Sequence, residues 1–98
     1  MKEFKRENFH EKFIISLHSA DPGGYRAKNS DLISMMGERI KKAMLEREFI
    51  PCVGDTFHFI GLDPELTFEI TKITEVPVNT GKLGCVIMYG KSKVYNDD

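Results

Sequence analysis

The sequence predicts an α+β domain in which one helix packs on a small curled antiparallel sheet, or partly open barrel, of four to five strands. Three observations lead to this fold class: alternating polarity in residues 9–18, helical spacing in residues 33–47, and apolar runs separated by turns in residues 51–89. At 98 residues the chain fits one domain with a single core.

The first strand is predicted from a two-residue period. Aromatic and aliphatic residues occupy odd positions from Phe9 to Leu17, polar residues occupy the even ones, and Ile14 is the one apolar exception on the outer face. The preceding residues 1–8 are rich in charge, so they form either a frayed arm or a polar lead-in to this strand. The strand ends where Pro22 and two glycines interrupt the pattern.

The helix is predicted to begin at a cap formed by Asn29 or Ser30 and to end before Pro51. Between them, apolar residues recur at helical spacing from Ile33 to Met44. Gly37 interrupts this pattern. Either the helix breaks there, or the glycine allows the helix to approach the sheet closely.

The β-rich part begins after Pro51. Phe68 and Ile70 alternate in phase, whereas Ile73 is out of phase with them, which predicts a β-bulge or a sharp bend. A hairpin turn is expected at residues 79–82.

The last strand of the predicted sheet is apolar on both faces. Residues 85–89 therefore have the composition of a central strand. Residues 91–98 form a polar tail, in which Val94 and Tyr95 are able to add a short edge strand.

The order of these elements resembles a known architecture. Pro51-Cys52-Val53-Gly54-Asp55, an aromatic strand, the pattern Phe68-x-Ile70-x-x-Ile73 and an apolar strand together resemble the opening strands of small SH3-like barrels. The resemblance covers residues 51–89 and implies a curled sheet. It implies no functional residues, because the chain lacks the Trp-rich and acidic loops by which such domains bind proline-rich ligands.

The predicted core is built from apolar residues of the helix and of all the main strands. It comprises Phe13, Ile15, Leu17, Ile33, Met36, Ile40, Met44, Phe57, Phe59, Phe68, Ile70, Ile73, Val86 and Met88.

Composition limits the classes of function. A hydrophobic content of 41% and a net charge of −1 are typical of a folded domain rather than a disordered chain. Residues 1–54 carry ten Lys and Arg against eight acids, and residues 55–98 carry four against seven, which argues against a dominant polyanion-binding surface. No apolar segment is long enough to span a membrane, and the charged start is unlike a signal peptide, so we expect a soluble cytoplasmic protein.

No metal or cofactor is expected. The candidate soft ligands are His10, His18, His58, Cys52 and Cys85, and none of them forms the close pairs that organise a zinc site. The two cysteines lie in apolar contexts and are predicted to be reduced and buried.

Enzyme activity is the minority interpretation. Ser16, His18 and Asp21 supply the residue types of a nucleophile triad, but an extended strand need not align them. The three carboxylates Glu65, Glu69 and Glu75 would need a cleft and a defined separation to act as an acid–base pair. A small hydrolase that uses His18 or His58 remains a third hypothesis.

The connection between the first strand and the helix, residues 21–29, is the main candidate site. Paired glycines can turn backbone N–H groups outward, a tyrosine offers an anchor, and two basic residues precede a helix N-terminus. The predicted binding residues are Gly23, Gly24, Tyr25, Arg26 and Lys28. The alternative is that Pro-Gly-Gly only closes a connection whose basic residues are solvated.

These observations favour a non-enzymatic binding module that acts on a partner protein, with an origin among small bacterial, phage or mobile-element proteins. The alternative function is binding of a nucleic acid or nucleotide through the Asp21–Asn29 loop. Homo-oligomerisation, in the simplest case a homodimer, is a further expectation because an exposed edge strand is a ready pairing surface.

Overall fold

The computed structural model describes residues 2–19, 30–61 and 65–94. It confirms the α+β class: one helix packs on a curled four-stranded half-barrel, and a second, two-stranded sheet lies beside it. A short 3-10 helix covers Arg6–Asn8. The main elements are β1 (Lys2–Glu3), β2 (Phe9–Ser19), α1 (Ser30–Arg47), β3 (Phe49–Ile50), β4 (Thr56–Phe59), β5 (Leu66–Pro77) and β6 (Leu83–Val94).

The larger sheet has the strand order β2-β6-β5-β4. β4, β5 and β6 are antiparallel neighbours, as the sequence predicts for residues 51–89. β2 differs from the antiparallel prediction because it lies parallel to β6. A parallel pair needs a long crossover, and the chain between β2 and β6 supplies one that includes α1.

The predicted irregularity in β5 is confirmed as a β-bulge. Ile70 lies opposite Gly90, whereas Lys72 lies opposite Tyr89, so Thr71 is the additional residue. The bulge reverses which side chains face the core, and this explains why Ile73 is out of phase with Ile70.

The predicted turn at residues 79–82 is also confirmed. The N–H of Gly81 donates to the carbonyl of Val78 at 2.8 Å, and the N–H of Val78 donates to Lys82 at the same distance. Gly81 has a φ of +85°, a conformation that glycine adopts without steric cost. β6 then continues to Val94, so residues 91–94 belong to a paired strand rather than to a polar tail.

The helix is unbroken from Ser30 to Arg47, and Gly37 is the reason it can lie so close to the sheet. A Cβ atom at Gly37 would collide with the backbone carbonyl of Ile15 in β2, which confirms the close-contact alternative. Glu48, in the left-handed region at φ 53°, ends the helix. No helix within the described residues is long and apolar enough to cross a bilayer.

Most of the predicted core is buried. Phe57 and Ile73 are only partly buried, and the side chain of Ile33 lies outside the described part of the chain. The remaining predicted positions are each at most 8% exposed: Phe13, Ile15, Leu17, Met36, Ile40, Met44, Phe59, Phe68, Ile70, Val86 and Met88.

Three members of the buried hydrophobic cluster were absent from that prediction: Phe4, Phe9 and Leu66. The ring centroids of Phe4 and Phe9 lie 4.8 Å apart, and Phe9 is equally close to Phe13. Because β1 also pairs with β3, residues 2–8 form a docked lead-in rather than a frayed arm.

Candidate functional site

The four-stranded sheet has two unlike faces. The core-facing side packs against α1, while the outer side presents residues of β2, β6 and β5 in three rows. The rows follow from the strand register and are Ile14-Cys85-Val76, Ser16-Ile87-Thr74 and His18-Tyr89-Lys72.

An apolar surface, called here the outer patch, lies on this side; it consists of Ile14, Val76, Cys85, Ile87 and Tyr89. Ile14 is 52% exposed and Val76 is 41% exposed, while the three β6 residues are half-buried between them. Among residues 2–19, 30–61 and 65–94, no helix or strand covers it. Contiguous exposed apolar area of this kind marks interaction sites more often than scattered apolar residues do.

Tyr89 lies between the side chains of His18 and Lys72. The His18 ring is 5.5 Å from the Tyr89 ring, and the Lys72 ammonium lies 5.2 Å from the ring centroid on the other side. A lysine at this distance from an aromatic face is attracted by the ring quadrupole. Both contacts restrict the orientation of the Tyr89 ring.

The far end of the outer face is basic. By alternation from Tyr89, Lys91 and Lys93 extend from the same side of β6, and both are exposed. With Lys72 they give three positive charges within β5 and β6, against the one negative charge that these two strands carry here, that of Glu69 opposite Lys91. The described part of this face therefore carries a local excess of positive charge although the chain as a whole has a net charge of −1.

Two members of the predicted triad meet on this face. Ser16 Oγ lies 3.1 Å from His18 Nε2, which is hydrogen-bond distance, and Asp21 lies outside the described residues. Ser16 is in an extended, paired part of β2, opposite Ile87. Successive N–H groups of a strand point in opposite directions, so the backbone there cannot converge on an oxyanion as a helix N-terminus or a turn can.

The three candidate carboxylates are not brought together. Glu65 lies 3.7 Å from His58 Nε2 and accepts a hydrogen bond from the N–H of Gly61, Glu69 is on the outer face, and Glu75 is opposite the buried Val86. Among the described residues, no group of three His, Cys, Asp or Glu side chains could hold a metal ion.

The burial predicted for the two cysteines is wrong. Both are free thiols and both are only partly buried: Cys85 belongs to the uncovered outer face, and Cys52 lies in the turn that leads to β4. The apolar neighbours in the sequence mislead because β6 is covered on one face only.

We expect both thiols to react with a water-soluble thiol reagent under native conditions. Their rates should be only ~10–100-fold lower than in the unfolded chain. The measurement is the time course of modification by mass spectrometry, with the single variants Cys52→Ser and Cys85→Ser assigning each rate. A thiol that reacts only after denaturation would contradict its exposure.

The two edges of the sheet differ in how open they are. Along β2, the Lys41 ammonium donates to the carbonyl of Phe13 at 2.6 Å, and Gly37 of α1 abuts the carbonyl of Ile15. The helix therefore shields this edge from pairing with another chain. The opposite edge, β4, has only four residues.

The loop predicted as the main binding site falls outside the described residues. Gly23, Gly24, Tyr25, Arg26 and Lys28 all belong to residues 20–29, between the last residue of β2 and the start of α1. Their role in binding stays a prediction.

The outer patch was not among the predicted sites, although the sequence contained a signal for it. Ile14 was the apolar exception in an otherwise polar outer face, and residues 85–89 were apolar on both faces. Placed together, these two observations indicate an apolar second face, but only the register between β2 and β6 shows that they are adjacent.

Comparisons with known proteins add no relative. No protein-family model matches the chain, and neither the curated proteins nor the solved structures include a significant match. The resemblance to SH3-like barrels therefore rests on the residue pattern alone.

Proposed function

We propose that this chain is a non-enzymatic binding module that docks a partner protein on the outer face of its four-stranded sheet. The observation that carries the proposal is the outer patch: aliphatic side chains on three adjacent strands lie exposed beside a tyrosine that His18 and Lys72 hold in place. Protein interfaces are enriched in aromatic residues at their centre, and tyrosine is frequent among the residues that dominate binding energy.

Charge indicates the chemistry of the partner. The apolar row through Ile14 and Val76 is at one end of the face, and Lys91 and Lys93 are at the other. A partner surface with aliphatic or aromatic side chains next to Asp and Glu residues would match both ends. A second copy of this chain fits less well, because the lysines at its own basic end would be repelled by Lys91 and Lys93.

Nucleic acid is the competing class of partner. Lysines around a tyrosine would suit single-stranded nucleic acid, since bases stack on aromatic rings and phosphates attract lysines. The aliphatic residues at the centre of the outer patch would contribute nothing to such binding. They favour the protein partner.

The test uses a library of random peptides selected on the immobilised chain, followed by titration of single selected peptides. Selected sequences are expected to combine aliphatic or aromatic residues with acidic ones. Ile14→Asp should lower their affinity at least tenfold, about 1.4 kcal/mol, because a carboxylate would be buried in the apolar part of the interface. Its midpoint of thermal unfolding should fall by no more than roughly 4–8 °C, the shift that about 1 kcal/mol causes in a domain of this size. Ile14 is 52% exposed, and the lower strand propensity of Asp costs about that much.

Met35→Asp is the matched control, because Met35 is 47% exposed but lies on α1, away from the outer face. Peptides that bind the Ile14→Asp variant as well as the original chain would contradict the proposal, as would a library that yields no binder. Loss of binding on replacing Arg26 and Lys28 by alanine, with Ile14→Asp silent, would move the site to the loop. Salt-sensitive binding of a single-stranded oligonucleotide that survives Ile14→Asp would favour the nucleic-acid function.

A further inference from the structure

A concave site lies on the side of the sheet opposite the outer patch. A cavity of about 610 Å³ opens between the two-stranded sheet of β1 and β3 and the inner side of β5 and β6. Its size is within the range of small-molecule sites in proteins. α1 packs mainly on β2 and contacts β3, so the cavity lies at an end of the core-facing side that the helix leaves open.

The floor of the cavity is apolar. Phe9, Pro51 and Val86 are buried there, and Ile50 and Ile73 are half-buried at its sides. Phe9 and Val86 are already only 4% and 3% exposed, so a ligand that fills this space would remove apolar surface from water mainly at Ile50, Ile73 and the exposed Val53. Burial of such surface is the main source of affinity in small-molecule sites.

The rim carries one charge of each sign. Glu75 lies opposite Val86, so it projects from the core-facing side of β5, where most residues are apolar. Lys2, opposite Ile50 in the two-stranded sheet, lines the same cavity. A ligand with a single charge would satisfy one of these groups and be repelled by the other, whereas a zwitterion complements both.

From this lining we propose that the cavity binds a free apolar amino acid. Lys2 binds the carboxylate, Glu75 binds the ammonium group, and the side chain of the ligand packs on Ile50 and Ile73. This site is independent of the outer patch, which is on the opposite face of the sheet.

The experiment titrates the full chain with L-leucine and follows backbone amide and methyl resonances by NMR. Two probes lack one charge each: 4-methylpentanoate has no ammonium group, and 3-methylbutylamine has no carboxylate. We expect leucine to bind about tenfold more tightly than either probe, because each charged group adds a charge-assisted hydrogen bond. The resonances that shift should be those of the cavity residues.

The variants separate the two charges. Glu75→Gln should weaken leucine binding about fivefold to tenfold, and it should not weaken the binding of 4-methylpentanoate, which has no ammonium group. Lys2→Gln should likewise weaken leucine binding, and it should not weaken the binding of 3-methylbutylamine, which has no carboxylate. Both positions are exposed, so both variants should fold.

Cys52 provides an independent readout because it also lines the cavity, whereas Cys85 lies on the outer face. Saturating leucine should slow the modification of Cys52 and leave that of Cys85 unchanged. Equal affinity for the three ligands, shifts spread over the whole surface, unaltered binding by Glu75→Gln, or equal effects on the two thiols would each overturn the proposal. Failure here leaves the docking of a peptide on the outer patch unaffected.

Discussion

Gly37→Ala is expected to lower the free energy of unfolding by about 1–3 kcal/mol, the usual cost of forcing an extra methyl group into a packed contact. In an exposed helix position the same change would stabilise the protein by up to about 1 kcal/mol, because alanine is the better helix former. The sign differs here because the new Cβ atom would collide with the backbone carbonyl of Ile15, which has no rotamer by which to move away.

The measurement is urea denaturation of both proteins, with the slope of the transition compared to confirm that the unfolded states are alike. Ser34→Ala is the control, since Ser34 is exposed in the same helix and its replacement should change stability by no more than about 0.5 kcal/mol. Gly37→Ala protein as stable as the original chain would contradict the close contact.

The contact between Gly37 and Ile15 also affects which surface of the sheet is open to the proposed partner protein. If α1 were to move away from β2 to admit a methyl group, the carbonyls of Phe13 and Ile15 would lose their cover by Lys41 and Gly37. An uncovered edge of that length is prone to pair with other chains. We therefore infer that glycine at position 37 allows the helix to pack on β2 and also keeps the edge of β2 covered. The outer face of the sheet is then more accessible to a partner than this edge is.

The local parts of this fold could be predicted from the sequence because their causes are local. Alternation predicted β2, helical spacing predicted α1, and the phase change between Ile70 and Ile73 predicted a bulge or bend, which the strand register places at Thr71. Each depends on which side of one element faces the core, and a period of two or 3.6 residues records that directly.

The parts that could not be predicted depend on contacts distant in sequence. The direction of β2 relative to β6 is determined by the whole crossover, and Phe4 enters the core from a charged segment that has no periodicity. The candidate surfaces share this property. The outer patch forms only because the register brings Ile14 beside Cys85. The cavity combines Lys2 and Glu75, which are distant in sequence.

Gly90→Ala is expected to destabilise the chain by about 3 kcal/mol, at the upper end of the range for overpacking. Gly90 lies opposite Ile70, next to the bulge at Thr71, and the ring of Phe68 lies across its Cα. A Cβ atom there would lie 2.6 Å from Cζ of Phe68 and would also collide with the carbonyl of Glu69. Phe68 is only 1% exposed, so neither obstacle can move into solvent.

Gly84→Ala in the same strand is the matched control, because its new methyl group would meet mainly a side-chain methyl group of Val78, which is 38% exposed, rather than a buried ring. It should cost less than about 1 kcal/mol, the range typical of surface changes that the neighbours can accommodate. Denaturant titration of both variants gives the comparison, and equal losses would show that the ring of Phe68 does not determine the effect.

A double variant then identifies the obstacle. If the Phe68 ring is the main one, Gly90→Ala should cost at least about 1 kcal/mol less in a Phe68→Leu background, a coupling of the size found between residues in contact. If the carbonyl of Glu69 is the main one, the cost should be the same in both backgrounds. A Gly90→Ala variant of undiminished stability would contradict both contacts, and with them the close approach of β5 to Gly90 next to the bulge.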